Sequence, residues 1–194
     1  KLINTLTDDE EESNKVYNIN TYGSFTIGPE NAKVIIIEWF DYQWPHCKKV
    51  LRLREQILNK YPKDVKFVIK HFPLSFHKQA KKAALYTLAA ERQGHFLEME
   101  QIIFKNIKKL KNNEDLPRQY AQELGLDMKK FDQDMEDREL ETRIITDMVQ
   151  MQQSGMPRMA VPKFLINGKE PMGGRSFENY SRIIDDEIKK VSSN

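Results

Sequence analysis

The chain has 194 residues, of which 39% are hydrophobic and 10% are aromatic, so its composition excludes a disordered protein. Its 31 Lys and Arg residues against 29 Asp and Glu residues leave a net charge of +2, which supports neither a nucleic-acid partner nor an anionic membrane partner. Apolar runs such as residues 34 to 37 are far too short to span a membrane. The low glycine and proline content predicts a helix-rich α/β protein.

The first 20 residues are polar and include an acidic block at residues 8 to 12, which is typical of a flexible arm. The chain starts at Lys1 without a methionine and shows no signal peptide, so we expect that a leader has been removed. Cys47 is the only cysteine, which excludes an intrachain disulfide and a cysteine-based metal cluster.

A βαβ unit is predicted in the first half of the chain. Residues 33 to 40 form a continuously apolar, β-branched strand that ends at a polar loop, residues 41 to 43. Pro45 then suits the first turn of a helix that Pro62 stops, and a second strand follows at residues 65 to 72. The two strands should be parallel, and ligands gather at the carboxyl ends of such strands.

Residues 76 to 155 have helical periodicity throughout, interrupted by short turns, and predict a helical insertion. A strand returns at residues 163 to 166, and Asn167-Gly168 predicts a hairpin turn towards residues 171 to 173. Ser176 caps a last helix. One domain is therefore expected from residues 21 to 75 together with 156 to 194, and the helical insertion forms a second unit.

The segment Phe40-Asp41-Tyr42-Gln43-Trp44-Pro45-His46-Cys47 resembles the active-site segment of the DsbA-like branch of the thioredoxin superfamily. The pair Val161-Pro162, followed by a strand and a turn, resembles the cis-proline loop of that family. The resemblance covers nearly the whole chain from about Tyr22. It implies a thioredoxin fold (βαβ…ββα) with a helical insertion, a protein thiol-disulfide oxidoreductase ancestry, and a periplasmic or otherwise exported location.

The chain departs from the family at one position that matters for redox chemistry. Trp44 stands where the resemblance places the exposed, nucleophilic first cysteine, and Cys47 matches only the second, resolving cysteine. Dithiol exchange needs one thiolate to attack and a second thiol to resolve the mixed disulfide. We therefore predict a degenerate active site.

Three residues are candidates for any remaining catalysis. Cys47 is either a thiolate stabilised by the start of the helix, with help from His46, or a buried and inert small hydrophobe. His46 is either a residue that tunes this thiol or an ordinary surface residue. Glu38 resembles the acidic residue that lies beneath the family's active site, and as a buried carboxylate it needs a partner, for which Lys70 and Lys163 are the candidates.

Trp44, Pro45, Val161 and Pro162 are the predicted partner-binding residues. A wider apolar surface is expected around them, as a floor for an extended peptide or as ordinary packing, and its further members are Tyr42, Phe76, Met156, Met159 and Met172. The methionines also suggest, more weakly, a Cu(I) site, although no metal and no cofactor are predicted. His71, His77 and His95 lie on separate elements and are assigned no role.

Two functions remain open. The preferred hypothesis is a cell-envelope protein that has lost dithiol chemistry and binds a polypeptide client or a redox partner protein around Trp44 and Pro162. The alternative is a monothiol oxidoreductase in which Cys47 forms mixed disulfides with glutathione or a client and is resolved by an external thiol. The accessibility of Cys47 separates the two hypotheses.

Overall fold

A four-stranded sheet forms the centre of the protein, whose computed structural model describes residues 14 to 193. The order across the sheet is β1-β3-β2-β4, and the strands are β1 (Phe25–Ile27), β2 (Val34–Phe40), β3 (Val65–His71) and β4 (Lys163–Ile166). Strands β2 and β3 are parallel, whereas β1 and β4 pair with them in antiparallel fashion. Both central strands are buried along almost their whole length, as their continuous apolar runs predict.

The helices are α1 (Pro45–Lys60), α2 (Ala80–Glu91), α3 (Phe96–Lys105), α4 (Ile107–Leu110), α5 (Leu116–Glu123), α6 (Met128–Met135), α7 (Arg138–Gln153) and α8 (Phe177–Ser192). Helix α1 begins with Pro45 in its first turn and ends just before Pro62. The side chain of Ser176 accepts a hydrogen bond from the amide of Asn179 and so caps α8. The predicted βαβ unit, the helical stretch after it and the final strand and helix are confirmed.

Prediction and structure differ at three elements. The strand expected at residues 171 to 173 is absent, because the turn at Asn167-Gly168 supports only an isolated bridge between Ile166 and Lys169. The short edge strand β1 was not predicted. Within the helical stretch predicted over residues 76 to 155, residues 96 to 109 would form one helix, but that helix is divided at Asn106, whose side-chain amide donates to the carbonyl of Ile102 and ends α3.

The predicted flexible arm lies partly outside the described residues, which begin at residue 14. Within its described part, Tyr17 is buried, and its amide donates a 2.7 Å hydrogen bond to the carbonyl of Gly168. Gly168 has a positive φ of 79°, and a Cβ there would lie only 2.9 Å from Val16, so a glycine is required for this close approach. No helix among residues 14 to 193 is long and apolar enough to cross a membrane.

The carboxyl ends of β2 and β3 meet at one edge of the sheet, because the two strands run parallel in register from Val34 and Val65 to Phe40 and His71. Helix α1 starts beside this edge, directly after the loop that follows β2. The candidate site lies here.

Candidate functional site

Cys47 lies in the first turn of α1 and is almost completely enclosed, with 1% of its surface exposed. Its Sγ accepts a hydrogen bond from the backbone amide of Asp41, at 3.3 Å. Its own amide donates to the carbonyl of Trp44, at 2.9 Å, as expected for the start of a helix. The thiol therefore faces the loop after β2 and not the solvent.

Burial raises the pKa of the Cys47 thiol well above its ordinary value. The Asp41 amide lowers this pKa, but the carboxylates of Asp41 and Glu38 raise it further. At neutral pH the thiol is therefore protonated, and it lacks the electropositive and accessible surroundings that a nucleophilic cysteine needs.

Trp44 occupies the N-cap position of α1 and is half-buried against the core. Its ring contacts two imidazoles, with centroid separations of 4.9 Å to His46 and 5.6 Å to His77. His46 and Pro45 are exposed, so His46 lies over the Trp44 ring at the surface. The three consecutive residues before Cys47 thus form a surface, whereas Cys47 itself is enclosed.

Asp41 and His77 lie at the candidate site, and the sequence analysis assigned neither of them a role there. The fully buried Asp41 carboxylate accepts hydrogen bonds from the amides of Gln43, at 2.6 Å, and Leu74, at 2.7 Å. His77 Nδ1 lies 3.0 Å from the same carboxylate. Asp41 thus joins the loops that follow β2 and β3, and its place directly after a buried strand was the one sequence signal for this role.

Glu38 pairs with Arg54 of α1, at 3.2 Å, and the prediction that Lys70 or Lys163 is its partner is wrong. Successive side chains of a strand point to opposite faces, and Glu38 is aligned with Ile69 and Phe164 rather than with either lysine. On the opposite face, Lys70 pairs with Asp147 at 2.9 Å. Lys163 pairs with Glu170 at 2.7 Å.

The Arg54 guanidinium also binds the carboxylate of Glu100, which belongs to α3. Burial raises the pKa of Glu38 to about 7. The Arg54 guanidinium lowers this pKa, and the Glu100 carboxylate offsets part of that lowering. Near neutral pH, Glu38 is consequently divided between its protonated and ionised forms.

The Val161-Pro162 peptide bond is cis, and the side chains of both residues are buried. The preceding loop, residues 157 to 160, is exposed. Of the expected apolar surface, Tyr42 and Met156 are buried, at 1% and 6% exposure, so for these two residues the alternative of ordinary packing holds. The buried Tyr42 hydroxyl donates a hydrogen bond to the hydroxyl of Thr87.

Phe76, Met159 and Met172 remain exposed, at 68%, 44% and 53%. Among residues 14 to 193, no group of three or more His, Cys, Asp or Glu side chains is placed to hold a metal ion.

Comparison with known proteins agrees with this architecture. A family model described as thioredoxin matches residues 20 to 186. The Na⁺/H⁺ antiporter NhaA 3 of Salinispora tropica is 30% identical over 158 residues, which are 81% of this chain and 24% of that protein. The antiporter NhaA 1 of Mycobacterium sp. (strain KMS) is 30% identical over 149 residues, with 75% and 24% covered. The chain thus spans about a quarter of the length of the curated relatives it matches.

Solved structures share the whole fold at low sequence identity. Wolbachia pipientis alpha-DsbA1 is 20% identical, with a TM-score of 0.76 over 90% of this chain and 96% of that one. Oxidised BdbD from Bacillus subtilis is also 20% identical, with a TM-score of 0.73 over 90% and 97% of the two chains. The family model matches the same stretch of chain that contains the βαβ unit and the cis peptide before β4. The chain belongs to the thioredoxin family and has a DsbA-like fold with a helical insertion.

Proposed function

We propose that this protein binds a polypeptide around Trp44 and the Val161-Pro162 loop and does not carry out dithiol exchange. The observation that carries this proposal is the enclosure of Cys47 in the first turn of α1, directly after the half-buried Trp44 and the exposed His46. Trp44 stands in the place of a first cysteine, so Cys47 has no intrachain thiol with which to form a disulfide. Its raised pKa and its burial also argue against the alternative monothiol chemistry with glutathione or a client.

The backbone next to the cis peptide supports peptide binding. The amide and carbonyl groups of Met159, Ala160 and Val161 make no hydrogen bond within the part of the chain that the structure describes. An extended peptide can pair with such a segment as an added strand, while side-chain surfaces beside it provide specificity. Trp44 and Phe76 are aromatic residues of the kind that dominate such contacts.

We also propose that the protein acts in the cell envelope. A similar structure is titled a periplasmic thioredoxin-like protein from Salmonella enterica serovar Typhimurium; it is 22% identical, with a TM-score of 0.69 over 86% of this chain and 90% of that one. Fractionation of the native host tests this location, and recovery of the protein with cytosolic markers only would contradict it.

A timed thiol titration of the native protein tests whether Cys47 is silent. We expect reaction with a small aromatic disulfide to be slow at every pH below 9, and fast only after unfolding, because the thiol is enclosed and protonated. Glutathione disulfide is the second probe. Rapid reaction of the native protein, with an apparent pKa below the usual value of about 8.5, would instead establish the monothiol enzyme.

Polypeptide binding is tested on an immobilised array of short peptides of random sequence. We expect a set of peptides that bind the wild type and lose roughly 2 kcal/mol or more of binding free energy with Trp44→Ala, as for an aromatic hot spot. Tyr22→Ala is the matched control, because Tyr22 is 94% exposed and belongs to a different pocket. Absence of binders, or equal loss in both variants, would overturn the proposal.

Restoring the missing cysteine by Trp44→Cys tests whether loss of the dithiol alone explains the lost chemistry. The two thiols of the variant should reduce an insulin disulfide while they form their own disulfide, and dithiothreitol should regenerate them. We expect insulin reduction by the variant above the dithiothreitol background and none by the wild type. No gain in a folded variant would show that other features of the loop also prevent exchange.

A further inference from the structure

A basic groove lies beside Trp44, between the loop that follows β3 and the short helix α4. Its volume is about 580 Å³, and Phe76 and Ile107 give it apolar walls. Lys78, Lys108 and Lys111 also line it, and all three are exposed. We call this feature the basic groove.

The cations of the basic groove are not neutralised within the described residues. No carboxylate lines the groove, and none of its three lysines forms an ion pair among residues 14 to 193. The neighbouring lysines behave differently, since Lys81 pairs with Glu141 and Lys82 pairs with Glu114 and Asp115. The groove therefore concentrates positive charge on a protein whose overall charge is close to neutral.

The basic groove is continuous with the Trp44 surface. The ring of His77, which lines the groove, lies 5.6 Å from that of Trp44 and 4.6 Å from that of Phe76. Gln43, next to Trp44 in the chain, exchanges two 2.7 Å hydrogen bonds with Gln79 at the groove wall. A polypeptide seated on Trp44 can therefore pass directly over His77 into the groove.

We infer that the basic groove receives acidic side chains of the polypeptide bound at Trp44, so that this protein selects segments in which Asp or Glu residues lie close to an apolar residue. This inference rests on the proposed function. Charge complementarity carries it, because three unneutralised ammonium groups next to an apolar wall match a carboxylate flanked by a hydrophobic side chain. Nucleic acid fits less well, since only three lysines line the groove and the net charge of the chain is +2.

The peptide array supplies the test. Peptides that bind in a Trp44-dependent way should be enriched in Asp and Glu, and replacing those residues by Gln and Asn should weaken binding about tenfold at low salt. The variant K78Q/K108Q/K111Q should lose this preference for acidic peptides and still bind their uncharged versions. High salt should remove the preference from the wild type, because the lysines are exposed.

The matched control is K63Q/K129Q/K189Q, which removes three exposed lysines elsewhere and lowers the net charge equally. It should retain the preference for acidic peptides. Equal loss in both triple variants, or Trp44-dependent binders without acidic enrichment, would overturn the inference and leave the proposed function intact. Tighter binding of single-stranded RNA than of acidic peptides in the same groove would also overturn it. Absence of any Trp44-dependent binder would instead overturn the proposed function.

Discussion

Two buried charge clusters lie on opposite faces of the same sheet and differ in charge balance. The acidic cluster, formed by Glu38, Arg54 and Glu100, sets two carboxylates against one guanidinium. The balanced cluster sets the Asp147 carboxylate against the Lys70 ammonium, at 2.9 Å, with His71 Nδ1 3.6 Å from the same carboxylate. Both clusters join the sheet to helices, and both are nearly free of solvent.

The pKa values of Glu38 and Asp147, one carboxyl from each cluster, shift in opposite directions. Burial alone would raise the pKa of either carboxyl, and it raises the pKa of Glu38 to about 7. In the balanced cluster, burial is outweighed by hydrogen bonding from His71 and by the nearby positive charge, which hold the pKa of Asp147 below its ordinary value. Burial therefore does not set the ionisation of a carboxyl by itself. The charged groups and hydrogen-bond donors around the carboxyl decide its direction of shift.

Asp147→Ala breaks the balanced cluster and should have the largest effect. It leaves the Lys70 ammonium buried with only the hydroxyl of Ser24, and an uncompensated buried charge costs about 4 kcal/mol of unfolding free energy. Urea unfolding measures the loss. Asp132→Ala is the control, because it breaks a solvent-exposed pair with Arg118 and should barely move the midpoint. Similar losses in the two variants would show that burial of the pair is unimportant.

Arg54→Met breaks the acidic cluster and should cost about 3 kcal/mol of unfolding free energy near pH 8. The loss should shrink near pH 5, because burial raises the pKa of Glu38 to about 7, so its carboxyl is protonated there and leaves less unpaired charge once Arg54 is removed. The Asp147→Ala loss should not shrink in this way, since the stranded group is then a lysine. Urea unfolding at both pH values makes the comparison, and a pH-independent loss in Arg54→Met would contradict the assigned charge imbalance.

Glu38→Gln should change how stability depends on pH. The folded pKa of Glu38, about 7, lies above the ordinary value of 4.5, so its contribution to stability is complete below about pH 4.5 and is lost as pH rises through 7. Relative to the wild type, the variant should therefore gain stability between about pH 5 and pH 8, by at most roughly 3 kcal/mol. Glu141→Gln, an exposed control with a lowered pKa, should not show this gain. A flat difference would contradict the raised pKa of Glu38.

Glu100→Gln should have the smallest effect of the four substitutions, and it should act on the pKa of Glu38. The Glu100 carboxylate raises the pKa of Glu38, so removing its charge should lower that pKa below about 7. Carboxyl ¹³C chemical shifts of Glu38, followed against pH, measure this change. Glu98→Gln, on the same helix but exposed, is the matched control. An unchanged Glu38 titration would show that the two carboxylates are not coupled.

The order of elements could be predicted because it depends on local signals. The apolar runs of β2 and β3 and the Pro45 start and Pro62 stop of α1 are each contained in a few neighbouring residues. The replacement of a first cysteine by Trp44 is likewise visible in the sequence alone. The short strand β1 was missed, because three residues at a sheet edge carry too little periodicity to identify it.

Partnerships between distant residues could not be predicted. The sequence determined that Glu38 is a buried acid that needs a cation, and Arg54 was visible within the apolar periodicity of α1. Only the tertiary structure decided that Arg54 rather than Lys70 is that cation, because strand pairing sends Lys70 to the opposite face. The sequence also determined that Cys47 has no second thiol. Only the tertiary structure decided that Cys47 is enclosed, because this depends on how the loop with Asp41 packs against it. The burial and the pKa of the thiol are set by contacts between separate segments, which local sequence patterns do not specify.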